Sequence, residues 1–93
     1  MTADQDRYAL AITPTARRQL IEHLPEAVAT AAYEFIVGPL LDSPHRVGKQ
    51  FRPPLDDRHS ARRGTYRVIY RIDDPSRTAT VVDVAHRRDA YRT

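Results

Sequence analysis

No cysteine occurs in the 93 residues. That excludes a disulfide framework and thiolate chemistry, and it suits a reducing cytosol. Glycine occurs only three times, too sparsely for a phosphate-cradling loop, so no nucleotide cofactor is expected. No apolar run approaches the roughly 20 residues that span a bilayer. Met1 to Arg7 is polar and acidic, unlike a signal peptide. Residues 46–93 contain no glutamate, so a carboxylate base there would be Asp56, Asp57, Asp83 or Asp89. The histidines His23, His45, His59 and His86 fall at no metal-ligand spacing, and a zinc site is not expected. No Ser–His–Asp set follows from spacing either.

The net charge of +3 is unevenly spread. Residues 1–45 carry three arginines and six acids, net −3; residues 46–93 carry twelve cations and six acids, net +6. Eleven of those twelve cations are arginines, and Lys49 is the exception. Arginine forks match phosphate geometry and stack on bases better than lysine does. The skew points to a nucleic-acid partner, against the plainer reading of a solvated basic surface.

The chain length fits one small domain over residues 1–93. Arg7 to Ile12 reads as a strand. Thr13-Pro14 is a cap and first-turn pair for a helix to about His23, with Ala16, Leu20 and Leu24 on its apolar stripe. Pro25 ends that helix. A second helix, about Glu26 to Leu41, turns Val28, Ala32, Phe35 and Ile36 to one side, and Gly38-Pro39 should kink its last turn. Asp42 to Gly48 reads as a loop, and Lys49 to Leu55, with Pro53-Pro54, as an irregular or edge segment. Arg58 to Arg63 reads as a strand before a tight turn at Gly64. The next strand alternates cleanly, with Tyr66, Val68, Tyr70 and Ile72 one way and Arg67, Ile69 and Arg71 the other. Asp73 to Ser76 is a turn. Thr78 to Ala85 is the last strand, with Val82 and Val84 taken as its core face. The expected fold is α+β: an N-terminal strand, an α-helical hairpin, then three to four antiparallel strands in a twisted sheet with helices on one face.

The open face of that sheet holds Arg67 and Arg71, and with Val82 and Val84 inward it also holds Asp83 and Arg87. Arg67, Arg87 and Tyr91 form the set of interest: two guanidinium groups to grip one phosphate, and a tyrosine to stack on a base or move a proton. The competing expectation pairs Arg67 with Asp83 across the strands and makes Tyr91 a core cap. His59 and His86 lie in the basic half, where a histidine can exchange a proton near neutral pH.

The run His59-Ser60-Ala61-Arg62-Arg63-Gly64-Thr65-Tyr66-Arg67-Val68-Ile69-Tyr70, the valine-rich last strand and the ending His86-Arg87-Arg88-Asp89-Ala90-Tyr91 resemble the RelE/ParE toxin superfamily. They most resemble its RelE-type branch in actinobacteria, and the likeness covers nearly the whole chain. The resemblance implies the toxin of a type II toxin–antitoxin pair, a metal-independent endoribonuclease that cuts mRNA in the ribosomal A site by attack of a 2′-hydroxyl on the adjacent phosphate. By motif, Arg67 is the transition-state arginine, Arg87 a phosphate contact or proton donor, and Tyr91 the nucleotide-stacking residue. Arg58, Arg62, Arg63, Arg71 and Arg88 are expected RNA contacts. Better-known members carry lysines before the glycine turn, one a proposed base. Here that segment has none, arginine stays protonated, and His59 is the candidate in its place.

The expected partners are a RelB-type antitoxin, in a heterotetramer or larger assembly, and the ribosome with its mRNA and rRNA; no membrane is expected. Two other functions fit the same residues, a ParE-type gyrase inhibitor on this fold and a non-catalytic RNA-binding module.

Overall fold

The computed structural model describes residues 7–86. Its order is β1 (Ala9–Ile12), α1 (Pro14–Arg18) running into a wider π turn (Gln19–His23), α2 (Glu26–Phe35) running into a second π turn (Ile36–Leu40), α3 (Pro44–Val47), β2 (Lys49–Gln50), β3 (Arg58–Arg63), β4 (Tyr66–Asp73) and β5 (Thr78–His86). The five strands form one sheet in the order β1-β5-β4-β3-β2. The expected strand–hairpin–sheet arrangement is present, with two additions. β1 pairs with β5 in parallel, and the expected edge segment supplies the two-residue strand β2.

Local chemistry sets the helix ends. Thr13 is extended, and its hydroxyl accepts from the Ala16 N–H at 3.2 Å while Pro14 fills the first helical position. Leu24 precedes Pro25 and is forced out of helical geometry, so its N–H reaches back five residues to the Gln19 carbonyl. Pro39 has no N–H to give the helical ladder, and the second π turn encloses it. No described helix is long and apolar enough to cross a membrane.

The core lies between the helices and one face of the sheet. Ala16, Ala32, Ile36, Leu40, Val68, Tyr70, Ala79 and Val81 are fully buried there. Burying a residue of Ile or Leu size stabilises the fold by about 1.5–3 kcal/mol. Tyr66 and Tyr70 bury their rings and still place their hydroxyls, donating to the Ala31 carbonyl at 3.3 Å and the Pro44 carbonyl at 2.6 Å. Burial pushes the Tyr70 hydroxyl up to about 12.

Two sequence expectations fail. The segment Asp42 to Gly48 is not all loop, because Pro44 starts the short helix α3 and seals Tyr70 from above. In β5 the inward residues are Ala79, Val81 and Val84, not Val82 and Val84. Tyr70 pairs with Val81 and Ile69 with Asp83, so Val82 is an extra residue and the side-chain phase shifts there.

Candidate nucleic-acid interface

β3 and β4 are joined through Gly64, whose φ of 55° is the left-handed conformation that glycine adopts freely. The pairing that follows is Arg63 with Tyr66, Arg62 with Arg67, Ser60 with Ile69, and Arg58 with Arg71. Alternation then divides the strands. Tyr66, Val68 and Tyr70 face the helices and are buried, whereas Arg67, Ile69 and Arg71 face away. Their partners Arg58, Ser60 and Arg62 share that open face.

Two arginine–arginine pairs therefore stand directly across from one another. Side chains in such positions lie about 5 Å apart at Cβ, and like charges there destabilise the sheet. Among the described residues Arg62, Arg67 and Arg71 make no ion pair, and Arg58 has only a loose 3.9 Å approach from its neighbour Asp57. The Nε atoms of Arg58 and Arg67 are shielded from solvent without a hydrogen-bond partner. A buried unsatisfied donor costs about 1–3 kcal/mol, and an anion laid on this face would relieve both that cost and the mutual repulsion.

The expected alternative, an Arg67–Asp83 pair, is not formed. The shift at Val82 sets Asp83 opposite Ile69, and its Oδ1 accepts from Gln19 Nε2 at 2.8 Å. The other end of the same carboxamide, Gln19 Oε1, accepts from the Val84 N–H at 2.7 Å. Gln19 thus clamps β5 where β1 has ended, just before Ala85 comes opposite Arg67. No sequence signal singled out Gln19, because the edge it caps is a tertiary product.

His59 is on the other side of the sheet. It pairs with Tyr70, stacks on that ring at 5.6 Å between centroids, and meets His45 edge-on at 5.8 Å. His45 Nε2 lies 2.9 Å from Asp74 Oδ1, which also accepts from the Tyr8 hydroxyl at 2.5 Å. Burial, assisted by the His45 charge and opposed by Asp74, holds the His59 imidazole below its ordinary 6.5. The hydrogen bonds from Tyr8 and His45 hold the Asp74 carboxyl below its ordinary 3.8. The histidine is thus separated from Arg67 by the sheet itself.

Of the sequence-predicted set, Arg58, Arg62, Arg67 and Arg71 come together. Arg63 turns toward the helices, with its guanidinium 4.7 Å from the Phe35 ring centroid and a bond of 2.8 Å to the Arg62 carbonyl. Arg87, Arg88 and Tyr91 lie outside the described residues. The chain enters that segment from His86, which pairs with Tyr66 next to Arg67.

Comparison with known proteins adds to this geometry. A family model for the ParE toxin of type II toxin–antitoxin systems, parDE, matches residues 2–91. Toxin RelE of Mycobacterium tuberculosis is 49% identical over 90 residues, covering 97% of this chain and 92% of the relative. Toxin RelG of the same organism is 48% identical over 85 residues, covering 91% of this chain and 97% of the relative. Among solved structures, the RelBE2 toxin–antitoxin complex of M. tuberculosis matches with a TM-score of 0.83 and 47% identity, covering 87% of this chain and 99% of the matched one. The isolated E. coli RelE toxin matches with a TM-score of 0.70 and 22% identity, covering 85% and 83%, a likeness of fold.

Proposed function

The chain belongs to the RelE/ParE toxin superfamily of type II toxin–antitoxin systems, and from that premise we propose that it is a RelE-type endoribonuclease acting on mRNA in the ribosomal A site. The observation that carries this reading is the pair of uncompensated arginine pairs on the open face of β3 and β4. Phosphodiester cleavage by the neighbouring 2′-hydroxyl passes through a phosphorane whose oxygens gain negative charge. Fixed guanidinium groups stabilise that charge without reorganising. Arg67 is the central group: its Nε is shielded and unbonded, and its neighbours Arg62 and Ala85 frame it on either strand.

Arg62, Arg58 and Arg71 hold the flanking phosphates. Arg87, Arg88 and Tyr91 complete the set by motif, as phosphate contacts and a base-stacking ring. The reading does not use His59 as the base, because His59 faces the helices. The reaction therefore rests on electrostatic stabilisation by arginine, with positioning of the 2′-hydroxyl by the ribosome-bound message.

The partner under this reading is a RelB-type antitoxin, as in the complexes that the solved relatives form. The antitoxin chain orders on binding and covers the cationic face, restoring the missing counter-charge.

The test is purified wild-type chain incubated with programmed ribosomes and message. Cleavage that needs the ribosome, and that is lost in soluble Arg67→Ala and Arg87→Ala chains, is the expected result. Intact message together with inhibited DNA supercoiling by gyrase would assign the chain to the ParE activity instead.

A further inference from the structure

At the β2–β3 edge a cleft of about 610 Å³ opens beside the arginine face. Among the described residues its lining carries four cations, Arg46, Lys49, Arg62 and Arg63, with Ser60 among them and no acid. The cleft exists because of Gly48. A Cβ there would come within 2.6 Å of the Tyr70 hydroxyl oxygen and 2.8 Å of the Ser60 carbonyl oxygen. Glycine alone lets the end of α3 approach β3 so closely, and that approach brings Arg46 and Lys49 to the edge where Arg62 stands. Lys49 pairs directly with Ser60. Arg46, Lys49 and Arg62 are exposed and make no ion pair among the described residues.

Arg62 belongs to both regions, as a wall of the cleft and as the cross-strand partner of Arg67. The cleft is thus continuous with the open face. We infer that it is a second phosphate-binding subsite, into which a single RNA strand lying over the arginine face continues around the β2–β3 edge. This rests on the reading that the open face holds RNA.

The lining chooses among anions. A peptide segment would anchor apolar side chains, and the cleft offers only Val47 and Gly48 beyond its polar groups. Among the described residues no aromatic ring lines it, so bases find no aromatic platform there and the four cations contact chiefly the backbone, with little dependence on sequence.

The test is anisotropy titration of the free chain with uncleavable 2′-O-methyl RNA. Single strands of about 4 and about 12 nucleotides and a hairpin of matching composition are compared. Arg46→Gln/Lys49→Gln should weaken the longer strand about tenfold at low salt, reduce its salt slope by about 1.4, and leave the shorter strand unaffected. Arg17→Gln/Arg18→Gln, with the same loss of charge on α1, should change nothing. Arg62→Ala/Arg67→Ala should weaken both lengths.

Unchanged affinity and slope in the cleft variant, with weakening in the Arg62/Arg67 variant, overturns the cleft and leaves the face reading intact. Failure of wild type to bind either strand overturns the subsite, whereas the face reading stands or falls on ribosome-dependent cleavage. Equal weakening at both lengths, or preference for the hairpin, would each overturn the single-strand assignment.

Discussion

On the helix side of β4, Tyr66, Val68 and Tyr70 are buried and both hydroxyls donate to backbone carbonyls. On the other side, Arg67 and Arg71 stand opposite Arg62 and Arg58, and among the described residues the nearest ion-pair contact of the four is the loose 3.9 Å approach of Asp57 to Arg58. The two faces share one backbone, one register and one twist. Only the first lowers the free energy of the isolated chain. A fold keeps locally unfavourable features where function needs them, and here they sit together on one sheet face. One polar orphan on the helix side, His59 Nδ1, marks a place where that division is imperfect.

The largest effect is expected for Arg67→Ala. Under the proposed reading it removes a group that stabilises charge in the transition state, and the expected loss is about 2.7–4 kcal/mol, or roughly 10²–10³ in rate. The melting temperature should hold or rise, because a like-charge pair is relieved. Cleavage rates read beside a thermal melt check both halves. A fall in stability parallel to activity would make Arg67 a structural residue.

Tyr70→Phe does the converse. It leaves the buried Pro44 carbonyl without its donor, at a cost of about 1–3 kcal/mol. Chemical denaturation should record that loss, while the cleavage rate per folded molecule stays at the wild-type value.

A pH series sharpens the exception. His59 is held below 6.5 mainly by burial, so the unfolded chain binds that proton first. Its contribution to stability is complete above about pH 6.5 and declines as pH falls below it. Asp74, held below its ordinary 3.8, contributes above that value and loses its contribution below it. Melts of His59→Gln across pH should be flatter between these two windows and retain the acid limb. An unchanged profile would remove His59 as its source.

The smallest effect is expected for Arg71→Thr. It relieves the repulsion with Arg58 and should raise stability by about 0.2–1 kcal/mol. A decrease in melting temperature would show that the pair is compensated in the folded chain.

Much of this division was legible beforehand because strands announce themselves by period two. The alternation from Tyr66 to Ile72 placed Arg67 and Arg71 away from the core, and β3 ran over the expected Arg58 to Arg63. The Thr13-Pro14 cap was equally local and held. The phase of β5 was not legible. Val81, Val82 and Val84 satisfy either face, and only pairing with β4 reveals the extra residue. The side taken by His59 does carry a local signal: a two-residue Gly64-Thr65 turn fixes Arg63 opposite Tyr66, and counting back sets His59 opposite Tyr70. Gln19 and the Arg46–Lys49 wall were out of reach, since both depend on distant chain segments meeting.

The measurement that bears most directly on the central claim is 5′-end mapping of cellular mRNA after induction of the wild-type and Arg67→Ala chains at matched soluble levels. Arginine-centred cleavage of translated message predicts new ends confined to translated regions and in frame for wild type, and none for Arg67→Ala. The same ends in both strains, or intact message with an induced DNA-damage response, would contradict it.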